Sequence, residues 1–302
     1  MGLCRFQSGD PAGLGDLQAC LEFCRTHQLP SERRAAQSVA IALREEGNRP
    51  RPGLPADEPA PPLAALYDGD WDRFLTLADA YVEAADPAGD VDLRVLGARG
   101  WMRALRGDQT GAERDMAQVL DTARASGFWR PTWTALAHGA LCGAVLERHA
   151  DAERMLRELS ESWRRMRTIA SGEWVAAAAH AAARVGEDAA HLLRDALAEA
   201  PHQTVWSRAA LASINGTLAA SRGDHTAAAL HHLDAAQRYA TAGSATDRML
   251  ALGGAVRSLQ AAAEARPNGA RPADLAATTA RANAARDELD AFTGRNGIVS
   301  PL

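Results

Sequence analysis

The first residues whose types and spacing could do chemistry are Cys20, Cys24 and His27. On a helix, positions i, i+4 and i+7 share one face, and thiolate and imidazole groups are ligands that zinc prefers. A fourth ligand is not evident, and cysteines are often buried simply as packing residues. The sequence therefore favours helix packing for these three residues, and it predicts neither a metal nor another cofactor.

A second pattern places Asp68, Asp70 and Asp72 alternately around Trp71, as at the start of a calcium loop. The glycine and the closing glutamate that such a loop needs at later positions are missing. We interpret these aspartates as turn and helix-cap residues.

The motifs of several common enzyme classes are absent from the sequence. It contains no HExxH, DDxxD or GxSxG motif. It also has no lysine, since all 33 basic residues are arginines, and this excludes the GxxxxGK phosphate-binding loop. We therefore predict no catalytic residues and a protein that is not an enzyme. An enzyme whose site combines residues from several helices remains an alternative.

Composition narrows the function classes further. The 302 residues carry a net charge of −5 with a pI near 6.0, which argues against a nucleic-acid partner. No stretch approaches the roughly 18 apolar residues of a membrane span, so no membrane association is predicted. Four cysteines without a CxxC pair, and no signal-peptide pattern, predict a cytoplasmic protein.

A turn of the Gly-Asp type recurs along the chain after apolar helical segments. Glycine permits the left-handed backbone that ends one helix, and Asp or Asn can cap the next helix. The seven turns are separated by steps of 38, 22, 38, 40, 39 and 37 residues, and two of the turns are degenerate copies. They are Gly9-Asp10, Gly47-Asn48, Gly69-Asp70, Gly107-Asp108, Glu147-Arg148, Gly186-Glu187 and Gly223-Asp224.

The segments between the turns have helical periodicity. Ala112, Met116 and Val119, for example, fall at i, i+4 and i+7, on one face of a helix. No segment alternates with period two, so no sheet is predicted. The predicted helices are 91–106, 109–126, 129–147, 150–167, 173–185, 188–200, 204–222, 225–242, 246–265 and 272–293. Short connections favour antiparallel pairs, and the prediction is an all-α, right-handed α-solenoid.

The chain divides into four predicted parts. Residues 1–48 form a partial repeat and a helix, and residues 49–62 form a linker with six of the fourteen prolines. A proline inside a helix removes a backbone donor, so this segment cannot be helical. Residues 63–293 form the main array, and residues 294–302 form a flexible tail.

The array resembles tetratricopeptide-type repeats, most closely in residues 107–113 and 223–229. It is also similar to the C-terminal repeat region of actinobacterial signalling ATPases and LuxR-type regulators. The nucleotide-binding module of those proteins is absent here, and so is a DNA-binding helix-turn-helix motif. The resemblance implies a regulatory or signalling region that senses or binds another molecule.

The candidate binding residues are bulky or charged side chains on the first helices of successive pairs. In helical arrays these helices line the concave face, where aromatic anchors contribute much of the binding energy. The candidates are Arg94, Trp101, Trp133, Trp174 and Trp206. We hypothesise a non-catalytic scaffold that binds a protein or peptide partner. The alternatives are that the tryptophans only fill gaps between helix pairs, or that they line the pocket of a small-ligand sensor.

Three histidines fall on the predicted second helices of their pairs. A histidine near an apolar face is usually a packing or surface residue. We therefore assign no function to His191, His231 and His232 from the sequence.

Overall fold

The computed structural model describes residues 2–46, 62–84, 93–166, 168–172, 174–265 and 272–301. These residues form fifteen α-helices and no strand, which confirms the all-α prediction for this part of the chain. In the described residues no helix is long and apolar enough to cross a membrane.

The last ten of the fifteen helices agree with the ten predicted segments to within two residues wherever both ends of the segment are described, and all fifteen have the following limits. They are α1 (Gly2–Gln7), α2 (Ala12–Thr26), α3 (Glu32–Glu45), α4 (Pro62–Asp68), α5 (Trp71–Ala84), α6 (Leu93–Leu105), α7 (Gln109–Ser126), α8 (Trp129–Val145), α9 (His149–Met166), α10 (Val175–Val185), α11 (Glu187–Ala198), α12 (Val205–Ser221), α13 (His225–Ala242), α14 (Ala245–Glu264) and α15 (Pro272–Arg295).

The recurring turns have the backbone that the sequence predicts. Four of the turn glycines have φ angles between +77° and +87°, in the left-handed region that residues other than glycine rarely adopt. These glycines are Gly9, Gly69, Gly107 and Gly223. The degenerate turn at Glu147 also has a positive φ, of 59°. The turn at Gly47-Asn48 lies outside the described residues.

Aspartates next to these glycines cap the following helices. A carboxylate oxygen of Asp108 accepts a hydrogen bond from the Gly111 amide at 2.9 Å. Asp224 accepts the equivalent bond from the Ala227 amide at 3.0 Å. Each bond satisfies a backbone donor that the first turn of a helix leaves free, so the turn also sets where the second helix begins.

The even-numbered helices from α4 to α14 contact one another in series. Each contacts the next, and α14 contacts α4, so the series of contacts closes on itself. The odd-numbered helices α5, α7, α9, α11 and α13 each contact the even-numbered helices before and after them, while α15 contacts α14. Helices α6, α8 and α10 have neighbours on several sides and are largely buried; in α10 every residue from Val175 to Ala182 is buried.

Hydrogen bonds join the two ends of this series. The indole Nε1 of Trp71 donates to Oγ1 of Thr246 at 3.0 Å. The side-chain oxygen of Asn296 accepts from the Trp71 amide at 3.0 Å, and its nitrogen donates to the Gly69 carbonyl at 3.2 Å. The Trp71 ring also packs edge-on against Phe292, with ring centroids 5.5 Å apart. The turn between α4 and α5 is therefore bound to α14 and α15.

The C-terminal segment continues this contact. The amides of Val299 and Ser300 both donate to the Leu105 carbonyl, at 3.0 and 3.1 Å. Arg184 donates to the Pro301 carbonyl at 2.7 Å. The segment that we predicted to be a flexible tail is thus held against α6 and α10 by backbone hydrogen bonds. The predicted linker falls outside the described residues except for Pro62, the first residue of α4.

Helices α1 to α3 have a small hydrophobic core of their own, which includes Phe6 and Leu17. They are attached to the rest of the molecule through the segment between α9 and α10. The Glu45 carboxylate accepts hydrogen bonds from the Ser171 hydroxyl at 2.6 Å and from the Gly172 amide at 2.9 Å.

A buried ion-pair network fixes α6 between α5 and α7. The guanidinium of Arg99 binds both carboxylate oxygens of Asp115, at 2.9 and 2.7 Å, and also reaches Asp79 at 2.9 Å. Arg103 bridges the same two carboxylates. Such bidentate pairs are directional, so the network sets the rotation of α6, which carries Arg94 and Trp101.

We expect Asn296→Ala to destabilise the protein by about 2–4 kcal/mol, because it leaves the Trp71 amide and the Gly69 carbonyl buried without a partner. Urea unfolding followed by circular dichroism measures this loss. Asn283→Ala, on the exposed side of α15, is the matched control and should change stability by less than ~0.5 kcal/mol. Equal effects of the two substitutions would contradict the proposed contribution of Asn296.

Candidate functional site

The four candidate tryptophans lie inside the protein. Trp101 has 3% of its surface exposed, and Trp133, Trp174 and Trp206 have 1% each. Neighbouring indoles pack on one another: Trp133 and Trp174 are 6.2 Å apart between ring centroids. The predicted concave, partner-facing surface is not formed by these residues, because the closed series of even-numbered helices fills the space that an open array would leave.

Two of the sequence candidates, Arg94 and Trp101, instead meet at a cavity between α4, α6, α8, α10 and α14. We call it the central cavity; it contains about 450 Å³ of space when the part open to solvent is counted, of which about 30 Å³ is accessible to the centre of a water-sized molecule. Leucines and alanines form much of its wall. The residues that bring hydrogen-bonding or charged groups to it are Tyr67, Arg94, Trp101, His138, Thr246 and Asp247.

Trp101 sets the tautomer of His138. The indole Nε1 of Trp101 donates to Nδ1 of His138 at 3.1 Å. Because an indole N–H can only donate, Nδ1 accepts this bond through its lone pair, and the neutral ring carries its proton on Nε2. Gly97 makes room for the ring, since a Cβ atom there would lie 2.8 Å from it.

Asp247 supplies the carboxylate of the central cavity. One oxygen lies 3.1 Å from Nε2 of His180, and the other accepts from the Ser244 hydroxyl at 2.6 Å. The Ser244 hydroxyl in turn accepts from the Asp247 amide at 3.1 Å, which closes a capping box at the start of α14. The aspartate is therefore held by both its own helix and α10.

An aromatic ring also contacts His180. The ring of Tyr239 packs against His180, with centroids 5.4 Å apart. Burial, and then the charge of Asp247, raise the pKa of Tyr239 well above its usual range. The phenol therefore stays protonated and does not serve as a base at neutral pH.

Cysteine chemistry is not supported at this site. Burial raises the pKa of Cys142, on α8, to about 12, so that its thiol stays protonated and unreactive. Cys24 is buried and its sulfur lies 3.5 Å from the Ser31 hydroxyl, while Cys20 is exposed. His27 packs against Phe23. Among the described residues, no group of His, Cys, Asp and Glu side chains could hold a metal ion.

The remaining sequence candidates have structural contacts. A carboxylate oxygen of Asp70 accepts from the Arg73 amide at 3.1 Å, as a helix cap does. Asp72 forms an ion pair with Arg106 at 2.7 Å. His191 lies on α11, 3.5 Å from Glu187 on the same helix.

The sequence analysis did not identify His138, His180 or Asp247 as site residues. The Ser-x-x-Asp spacing at the start of α14 is visible in the sequence, but it indicates only a helix cap. The pairing of Asp247 with His180 joins residues 67 positions apart, and no local pattern could indicate it.

Comparison with known proteins adds no identification, since no family model, curated protein or solved structure matches the chain. The tetratricopeptide resemblance stays a prediction from the sequence.

We expect the four thiols to react with Ellman's reagent in two classes. Cys4 and Cys20 are exposed and should react rapidly, whereas Cys24 and Cys142 are buried and should react only on unfolding. The measurement is the absorbance change in native buffer and in urea, with peptide mapping to assign the sites. Labelling of Cys142 at the rate of Cys20 would contradict its burial.

Proposed function

We propose that this protein binds a small organic ligand in the central cavity and acts as a non-catalytic sensor. The observation that carries the proposal is the convergence of Arg94, Trp101, His138 and Asp247 from three helices on one cavity. Its mixture of an apolar wall and a few polar groups is typical of ligand pockets.

The lining favours a ligand with an apolar part and at least one charged group. Leu63, Leu66 and the indole of Trp101 offer apolar contact. Arg94 can bind a carboxylate or a phosphate, and Asp247 can accept from an ammonium or hydroxyl group. A small molecule with an acidic and a basic group would bind to both Arg94 and Asp247.

We further propose that the helix pairs are tetratricopeptide-like units of a right-handed α-solenoid whose first and last pairs meet. The contacts of Trp71 with Thr246 and Asn296 support this arrangement. An array closed in this way leaves cavities between its helices rather than a long open face for a polypeptide. A regulatory role in the cytoplasm is part of the same proposal.

The protein-binding scaffold receives less support from the geometry. It depended on tryptophans that a partner could reach, and these side chains are buried. Among the candidates from the sequence only Arg94 is not buried, and a partner protein would have to use it together with other residues.

The test is a screen of small metabolites by thermal melting, followed by titration of each hit against intrinsic tryptophan fluorescence. We expect a ligand that raises the Tm and changes the emission, because Trp101 lines the cavity. Arg94→Gln should weaken its binding roughly tenfold or more, since it removes a charged hydrogen-bond donor. Arg114→Gln, on the exposed face of α7, is the matched control and should bind as the wild type does.

Three outcomes would argue against the sensor. Equal affinity in the Arg94→Gln and Arg114→Gln variants would place the ligand elsewhere. No response to any metabolite, together with a polypeptide that copurifies stoichiometrically, would favour the scaffold. Chemical conversion of the bound ligand would favour an enzyme.

A further inference from the structure

A second cavity lies between α10, α12, α13 and α14 and has a different character. We call it the cationic cavity; it is narrow, and about 10 Å³ of it is accessible to the centre of a water-sized molecule. The residues that define it are His180, Arg184, Ser213, His232, Gly254 and Arg257. It continues into a more open cleft with about 210 Å³ of such space, which His232 and Arg257 also line. His180 lies on this cavity and its partner Asp247 on the central one, so their contact separates the two.

His232 is inserted between two helices at this cavity. It lies on α13 with 5% of its surface exposed. A Cβ atom at Gly216 of α12 would lie 2.7 Å from its Nε2, and one at Gly254 of α14 would lie 2.8 Å from its Nδ1. The ring therefore needs glycine on both neighbouring helices, although glycine weakens a helix interior by about 1 kcal/mol relative to alanine.

The buried Nδ1 atom of His232 has no hydrogen-bond partner among the described residues. A buried polar atom without a partner is unusual in a native protein, and an absent ligand or ion is one of its ordinary explanations. Apolar packing alone would not require an imidazole at this position.

Two arginines bring positive charge to the same cavity. Burial, followed by the charge of Arg257, lowers the pKa of Arg184 to about 10. Arg184 forms no ion pair among the described residues, and its described hydrogen bond goes to the Pro301 carbonyl. Arg257 lines both this cavity and the adjoining cleft, and desolvation of its guanidinium group lowers its pKa too. Both guanidinium groups stay charged at neutral pH, so they repel each other.

The helix dipole explains the position of Arg184 but not that of Arg257. Arg184 lies in the last turn of α10, where a positive charge is favourable. Arg257 lies in the interior of α14, about two turns before its end at Glu264. Neither His232 nor Arg257 is explained by a helix terminus.

We infer that the cationic cavity and the cleft into which it opens form a second ligand site, which binds a small oxyanion, such as the carboxylate or phosphate group of a metabolite. Arg184 and Arg257 supply the charge, and the neutral imidazole of His232 supplies one N–H donor and one acceptor. Guanidinium groups suit this class of ligand because they offer paired donors to two oxygens. The site shares no lining residue with the central cavity, so it does not depend on the sensor proposal.

The test titrates inorganic phosphate and, in a separate arm, succinate at constant ionic strength, read by thermal melting and calorimetry. At ten times its Kd a probe should raise the Tm by roughly 3 °C. The stronger of the two probes identifies the oxyanion class. The Arg184→Gln/Arg257→Gln variant should lose at least tenfold in affinity. Arg238→Gln, on α13 and paired with Asp234 at 2.8 Å, is the matched control.

A nuclear magnetic resonance titration of His232 gives a readout that does not depend on folding stability. Burial, and then the charges of Arg257, His180 and His231, lower the pKa of His232 to about 3 in the free protein. Saturating phosphate should raise this pKa, because a nearby anion stabilises the imidazolium. Arg238→Gln, which lines neither cavity, should respond to phosphate as the wild type does.

No binding of either probe, or equal binding by the Arg184→Gln/Arg257→Gln and Arg238→Gln variants, would overturn the inference. So would phosphate binding that leaves the His232 resonances unchanged.

Discussion

The closure of the even-numbered helices is the constraint on which the rest of the structure depends. Six helices that contact one another in series, with α14 returning to α4, must approach one another closely where they meet. Small residues meet this need, as the buried alanines of α10 show. The closure itself depends on polar groups, because Trp71 joins α5 to Thr246 of α14 and to Asn296 beyond α15.

The tryptophans are part of the same packing. Trp133, Trp174 and Trp206 pack against other aromatic rings within the core. The space that remains in the central cavity has an apolar wall with a few polar side chains. The contact between His180 and Asp247 lies between the two cavities that we propose as ligand sites.

The helices could be predicted because their limits are encoded locally. A glycine with left-handed backbone and an adjacent aspartate that caps the next helix both act within a few residues, as at Gly107-Asp108 and Gly223-Asp224. The candidate site could be predicted only in part. Arg94 and Trp101 were selected as bulky or charged residues on first helices, but His138 and Asp247 reach the same cavity from α8 and α14.

By itself, the sequence determined an all-α protein with helices at defined positions, since periodicity and turn chemistry are properties of short segments. It also determined that several familiar enzyme motifs are absent. Only the tertiary structure decided which faces of the helices are buried, because the contact of α14 with α4 joins segments far apart in the chain. The pairing of Asp247 with His180, and the place of His232 between Gly216 and Gly254, depend on the same long-range packing.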